Sequence, residues 1–121
     1  MNFINKKLSQ RNRVGWSLSF DNIESRFEYV RHGASWNKLL HNLDLIQDLI
    51  KTQGHWGGIH AVYNVYNATR LVELTEFARQ MKLTIHWQSL YQPDCLDPTR
   101  LGDAAFEAAK QEIKTLLSQD I

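Results

Sequence analysis

Three short segments of this chain alternate apolar and polar residues, and each is followed by a stretch with helical spacing of its apolar positions. The segments are 14–20 (VGWSLSF), 59–66 (IHAVYNVY) and 83–90 (LTIHWQSL). Strands that alternate with long helices predict parallel strands joined by crossovers, since antiparallel neighbours need only a tight turn. Side chains alternate across a strand, so each segment has two faces. Trp16, Leu18 and Phe20 oppose Ser17, Ser19 and Asp21. Ile59, Ala61, Tyr63 and Val65 oppose His60, Val62 and Asn64. Leu83, Ile85 and Trp87 oppose Thr84, His86 and Gln88. A parallel sheet covered on both sides is apolar on both faces. One face here is polar, so helices are predicted on one side only. A (β/α) barrel with a ligand-holding lumen satisfies this pattern, and so does a small open sheet with one wet face.

The helices are read from caps and periodicity. Trp36 to Gln53 carries Trp36, Leu39, Leu40, Leu43, Ile46, Leu49 and Ile50 at spacings of three and four, with Ser35 as N-cap and Gly54 as stop. Residues 21–35 read as a polar connection, and 54–58 as a turn-rich stretch. Asn67 is predicted to cap a helix over about 68–81, with Leu71, Leu74, Phe77 and Ala78 inward. A loop, YQPDCLDPTRLG, holds both prolines. A last helix over about 103–117 places Ala105, Phe106, Ala109, Ile113 and Leu116 on one face.

A chain of 121 residues predicts one domain, taken as 14–121, preceded by an arm over 1–13. Lys6, Lys7, Arg11 and Arg13 in that arm read as a solvated terminus. The net charge of +1 argues against a strong electrostatic pull on nucleic acid. Cys95 is the one cysteine, which excludes an internal disulfide and a multi-cysteine metal site. No signal-peptide core opens the sequence and no window has the apolar length of a membrane span. A cytoplasmic setting without a membrane partner is the expectation.

The stretch Ser17 to Leu43 (SLSFDNIESRFEYVRHGASWNKLLHNL) resembles the middle of radical S-adenosylmethionine enzymes, most closely those with a SPASM or twitch auxiliary domain. In that family the fourth barrel strand ends in serine, one apolar residue and aspartate. An arginine follows about ten residues later, then a glycine-containing turn and a helix with an aromatic start. The matching residues are Ser19, Asp21, Arg31, Gly33, Trp36 and Asn42. Asn22 stands where the family often has glycine. HAVYNVYNATRLVELTEFARQMKL looks like the fifth strand and helix, and IHWQSLYQPDCL like the sixth strand. The likeness covers roughly Val14 to Pro98, and similar segments occur in twitch-type enzymes of bacteriophages and bacteria.

The resemblance implies a partial, half TIM-type (β/α) barrel of three parallel strands alternating with helices. It implies that Ser19 and Arg31 hold the methionyl carboxylate of S-adenosylmethionine, a pairing suited to a guanidinium fork and a hydroxyl. The alternative for Arg31 is an ion pair with a neighbour such as Glu28. Asp21, Asn64 and Gln88 fall near the C-terminal ends of the strands, where barrel enzymes place their chemistry, or else serve as turn and wet-face residues. The family's CxxxCxxC loop is absent, and cysteine thiolates are what hold a [4Fe–4S] cluster. No such cluster is therefore expected on this chain, and no catalytic residue is assigned. A second polypeptide or a second copy would have to complete the barrel. A stand-alone interaction module and a small-molecule binder of the S-adenosylmethionine type are the rival readings. His60 and His86 share a face on adjacent strands and amount to half a metal site, but no third ligand is suitably spaced, so the sequence predicts no metal. Cys95 has no base placed beside it, and it reads as incidental.

Overall fold

A computed structural model of the chain describes residues 13–90 and 92–119. The arm expected over 1–13 thus lies almost wholly outside the described residues. The elements are β1 (Gly15–Ser19), α1 (Glu24–Val30), α2 (Trp36–Gln53), β2 (Trp56–Tyr63), α3 (Leu71–Gln80), β3 (Thr84–Ser89) and α4 (Asp103–Gln119). The strands form one parallel three-stranded sheet in the order β1-β2-β3. Ser19 pairs with His60 and His60 with His86, while Leu18 pairs with Ile59 and Ile59 with Ile85. The predicted faces therefore align across all three strands. Among the described residues no helix is long and apolar enough to cross a membrane.

The core lies on the apolar face. Phe20, Ile59, Ala61 and Leu83 from the strand segments meet Phe27, Leu43, Leu74 and Ala78 from the helices. Phe20 is the hub of an aromatic group, meeting Phe27, Trp36 and Phe77 edge-on at 6.2, 6.2 and 6.3 Å between ring centres. Edge-to-face contact suits the ring quadrupoles better than a flat stack.

The helix ends follow local rules. Ser35 accepts a hydrogen bond from the Lys38 amide, as an N-cap should. Glu28 also serves this end, since its carboxylate accepts from the Trp36 amide at 2.9 Å. A carboxylate at a helix N-terminus meets both unpaired amides and the positive end of the dipole. Gly54 closes α2 at φ 71°, a region glycine enters without steric cost. The end of α3 is a Schellman turn: the Lys82 amide reaches the Arg79 carbonyl and the Leu83 amide the Ala78 carbonyl. Lys82 holds φ 57° there. A Lys82→Gly variant is therefore expected to be more stable by about 0.5–1 kcal/mol, measured by urea unfolding, because the Cβ penalty disappears.

The structure departs from the sequence reading at three places. Residues 24–30 form α1 inside the stretch read as a polar connection, with Phe27 buried as its anchor. The strand β2 begins at Trp56, inside the stretch read as turn-rich, and ends at Tyr63. Gly57 and Gly58 suggested a turn, but they are strand residues in close quarters. A side chain on Gly58 would meet the Thr84 hydroxyl at 2.6 Å, and one on Gly15 would meet the Trp56 indole. Asn67 does not cap α3, whose N-cap position is Arg70. Its side chain is instead buried between the ends of β1 and β2.

Candidate functional site

The exposed face of the sheet is built in cross-strand rows. Ser17, Gly58 and Thr84 form one row, and Ser19, His60 and His86 the next. Gln88 follows, paired in register with Val62. Ser17, Ser19, Thr84, His86 and Gln88 are exposed and His60 half-buried. A shallow depression of about 440 Å³ lies here, bounded by Trp16, Ser17, Gly58, His60, Thr84, His86 and Gln88. The Thr84 side chain crosses into the place that a side chain on Gly58 would take. Hydroxyl, imidazole and carboxamide groups line the depression and, among the described residues, no carboxylate does, so it offers hydrogen-bond donors and acceptors to a polar ligand.

Beyond the strand ends the loops are tied by a buried polar knot. Asp21 Oδ1 accepts from the Val62 amide at 2.7 Å. Asn67 Oδ1 accepts from the Asn64 amide, while its Nδ2 donates to the carbonyls of Asp21 and Val62. Asn64 Nδ2 donates to the Val62 carbonyl and its Oδ1 accepts from the Tyr66 amide. Asn22 Nδ2 donates to the Tyr66 carbonyl. Short Asn and Asp side chains suit such loops because they bond backbone groups a few residues away.

The five residues singled out from sequence separate accordingly. Ser19 and Gln88 stand on the exposed face. Asp21 is half-buried, with one carboxylate oxygen given to β2. Asn64 is buried and both ends of its carboxamide are engaged locally. Arg31 is exposed just after α1, and its guanidinium makes no ion pair among the described residues. Glu28, the partner considered for it, is occupied with the Trp36 amide. Sequence reasoning missed Ser17 and Thr84 as neighbours of the depression. Strand alternation carried their side, but only register shows that they flank Gly58.

A second, mainly apolar groove of about 470 Å³ runs outside β3. Ile85 and Trp87 of β3, Leu71 and Thr75 of α3, and Ile113, Leu116 and Leu117 of α4 line it, with Tyr63 and Gln88 at one end. Burial pushes the Tyr63 hydroxyl above its usual range, so it stays neutral. Thr75 Oγ1 is buried without a hydrogen-bond partner among the described residues. The face of α4 predicted to be inward is only partly covered. Ala109 is buried and Ala105 and Leu116 are half-buried, but Phe106 and Ile113 remain exposed, and so does Leu117 next to that face, at 63%.

The fold is thus an α/β unit: a parallel sheet with one helix-covered face and one polar face. Compared with known protein families and with curated proteins, the sequence has no match to any family model or to any curated protein.

Proposed function

We propose that this chain is a partial (β/α) barrel of the radical S-adenosylmethionine type, which contributes part of the wall of a cofactor and substrate cavity and does not catalyse a reaction alone. The observation that carries the reading is the in-register polar face, with Ser19 and Gln88 open on it and sequential parallel strands behind it. The residues present fit part of the cofactor. Among the described residues, Ser19 and Gln88 have free side-chain hydrogen-bonding groups and the Arg31 guanidinium has no ion-pair partner, so it would meet a carboxylate bidentately. Asn64 and half of Asp21 are committed to the loops and would act by positioning the strand ends. When bound, S-adenosylmethionine supplies the radical chemistry of the resembling enzymes, while the protein supplies orientation and shielding. The residues do not fit a [4Fe–4S] cluster, because Cys95 is the single cysteine of the sequence.

A partial wall binds weakly. Titration of the purified chain with S-adenosylmethionine, followed by amide NMR, is expected to shift Ser19, Arg31 and Gln88 with millimolar affinity. Ser19→Ala and Arg31→Ala should each weaken that response several-fold. Shifts confined to other residues, or none with the ligand at about ten times a millimolar Kd, would sink the reading.

The groove outside β3 supports the partner half of the proposal. Both outer strands have an unpaired edge within the described sheet, and unpaired edges invite another strand. A second copy laying its β1 edge along β3 would pair parallel to it and cover Ile113 and Leu117. The chain is expected to sediment as a dimer or larger at micromolar concentration, and Leu117→Lys to shift it toward monomer without changing its circular dichroism. A wild-type monomer under those conditions rules out closure by self-association.

A further inference from the structure

The imidazoles of His60 and His86 sit directly opposite one another on neighbouring strands. Their ring centres are 5.4 Å apart and their planes are inclined by 46°. Parallel stacking is not what this geometry offers. A metal–nitrogen bond to imidazole is about 2.0–2.1 Å, and the ring centre lies roughly 1.1 Å behind the nitrogen. Two rings sharing one ion at a tetrahedral angle therefore hold their centres roughly 5 Å apart, close to the spacing found.

We propose that His60 and His86 form a two-imidazole site for a divalent late first-row transition ion, with copper bound most tightly and nickel and zinc less so. The ligand type selects the metal: imidazole suits these borderline ions, whereas magnesium and calcium take oxygen donors. Neither imidazole is held by a hydrogen bond or ion pair among the described residues, so both rings are free to turn toward an ion. The backbone presets the pair, because both histidines lie within strands whose register fixes them opposite each other. Among the described residues no group of three or more His, Cys, Asp or Glu converges here, so the protein supplies two strong ligands. The remaining positions open onto the polar depression, where Ser19 shares the His60 row and Gln88 follows His86 on the same face. Water or an oxygen donor of a bound molecule completes the coordination. The site stands independently of the cofactor reading above, since it uses no residue of the Ser19–Arg31 pair as a required ligand.

The test is calorimetric titration of the intact chain with copper(II) and nickel(II) salts in a non-coordinating buffer, with copper electron paramagnetic resonance on the same samples. One equivalent of copper is expected to bind with the spectral signature of two nitrogen ligands, more tightly than nickel. His60→Ala and His86→Ala should each reduce copper affinity roughly tenfold or more. His41→Ala, an exposed histidine on α2, should leave it unchanged. His86 is exposed, so His86→Gln carries the test even if the half-buried His60 site tolerates change poorly. Copper affinity that survives in a folded His86 variant, or no stoichiometric binding by the intact chain, overturns the proposal.

Discussion

Asn67→Ala is expected to destabilise the protein by about 3 kcal/mol, a large share of the roughly 5–15 kcal/mol available to a small domain. The Asn67 side chain is wholly buried and makes three hydrogen bonds, to the Asn64 amide and to the carbonyls of Asp21 and Val62. Alanine removes all three at once. The Val62 carbonyl keeps a bond from Asn64 Nδ2, but the Asn64 amide and the Asp21 carbonyl lose the partners that Asn67 supplied. A buried group stripped of its partner costs about 1–3 kcal/mol, more than the net worth of the bond when made. Urea unfolding should show a lower midpoint with an unchanged slope. Asn67→Asp restores the acceptor for the Asn64 amide but places a charge in a buried site, so it should not rescue. A loss under 1 kcal/mol in the alanine variant would mean that the loops, and not this side chain, hold the strand ends together.

Phe20→Ala is expected to cost about 4 kcal/mol, the upper part of the range for removing a large buried side chain. Phe20 is 1% exposed and touches the rings of Phe27, Trp36 and Phe77, which belong to three different helices. Those helices cannot all move into the space together, so a cavity remains and adds to the lost burial. Phe20→Leu keeps most of the volume and should cost about 1–1.5 kcal/mol. Thermal unfolding followed by circular dichroism separates the two variants. Similar stability for both would place the hub of the core elsewhere.

Strand faces were the most legible part of the fold. Alternation at 14–20 and 83–90 predicted which residues of β1 and β3 are half-buried and which exposed, because period-two patterning is set by the backbone itself. The α2 boundaries followed from Ser35 and Gly54 for the same local reason. The start of β2 was hidden because Gly57 and Gly58 look like a turn, and only the Thr84 side chain crossing from β3 explains glycine in a strand. The short helix α1 was hidden because its seven residues bury a single aromatic anchor, too few to set a period. Asn67 was read as a cap since a cap and a knot demand the same side chain; the difference lies in what the first strand places beside it. The candidate site divided along the same line. Ser19 and Gln88 belong to strands and were placed by pattern. Asp21 and Asn64 lie in loops: the distant Val62 amide decides the role of Asp21, and neighbours two and three residues away engage Asn64.

The sequential strand order has an evolutionary consequence. Each strand of β1-β2-β3 neighbours only the strands adjacent to it in the chain, and within the described sheet both outer strands have one edge without a strand partner. A tandem duplication joining the end of α4 to a fresh first strand would therefore enlarge the sheet without rerouting any existing loop. Growth of that kind is accretion, in which every added strand–helix pair inherits a ready-made neighbour. A unit of this shape is suited to recombination by gene fusion, because joining two of them requires only a linker.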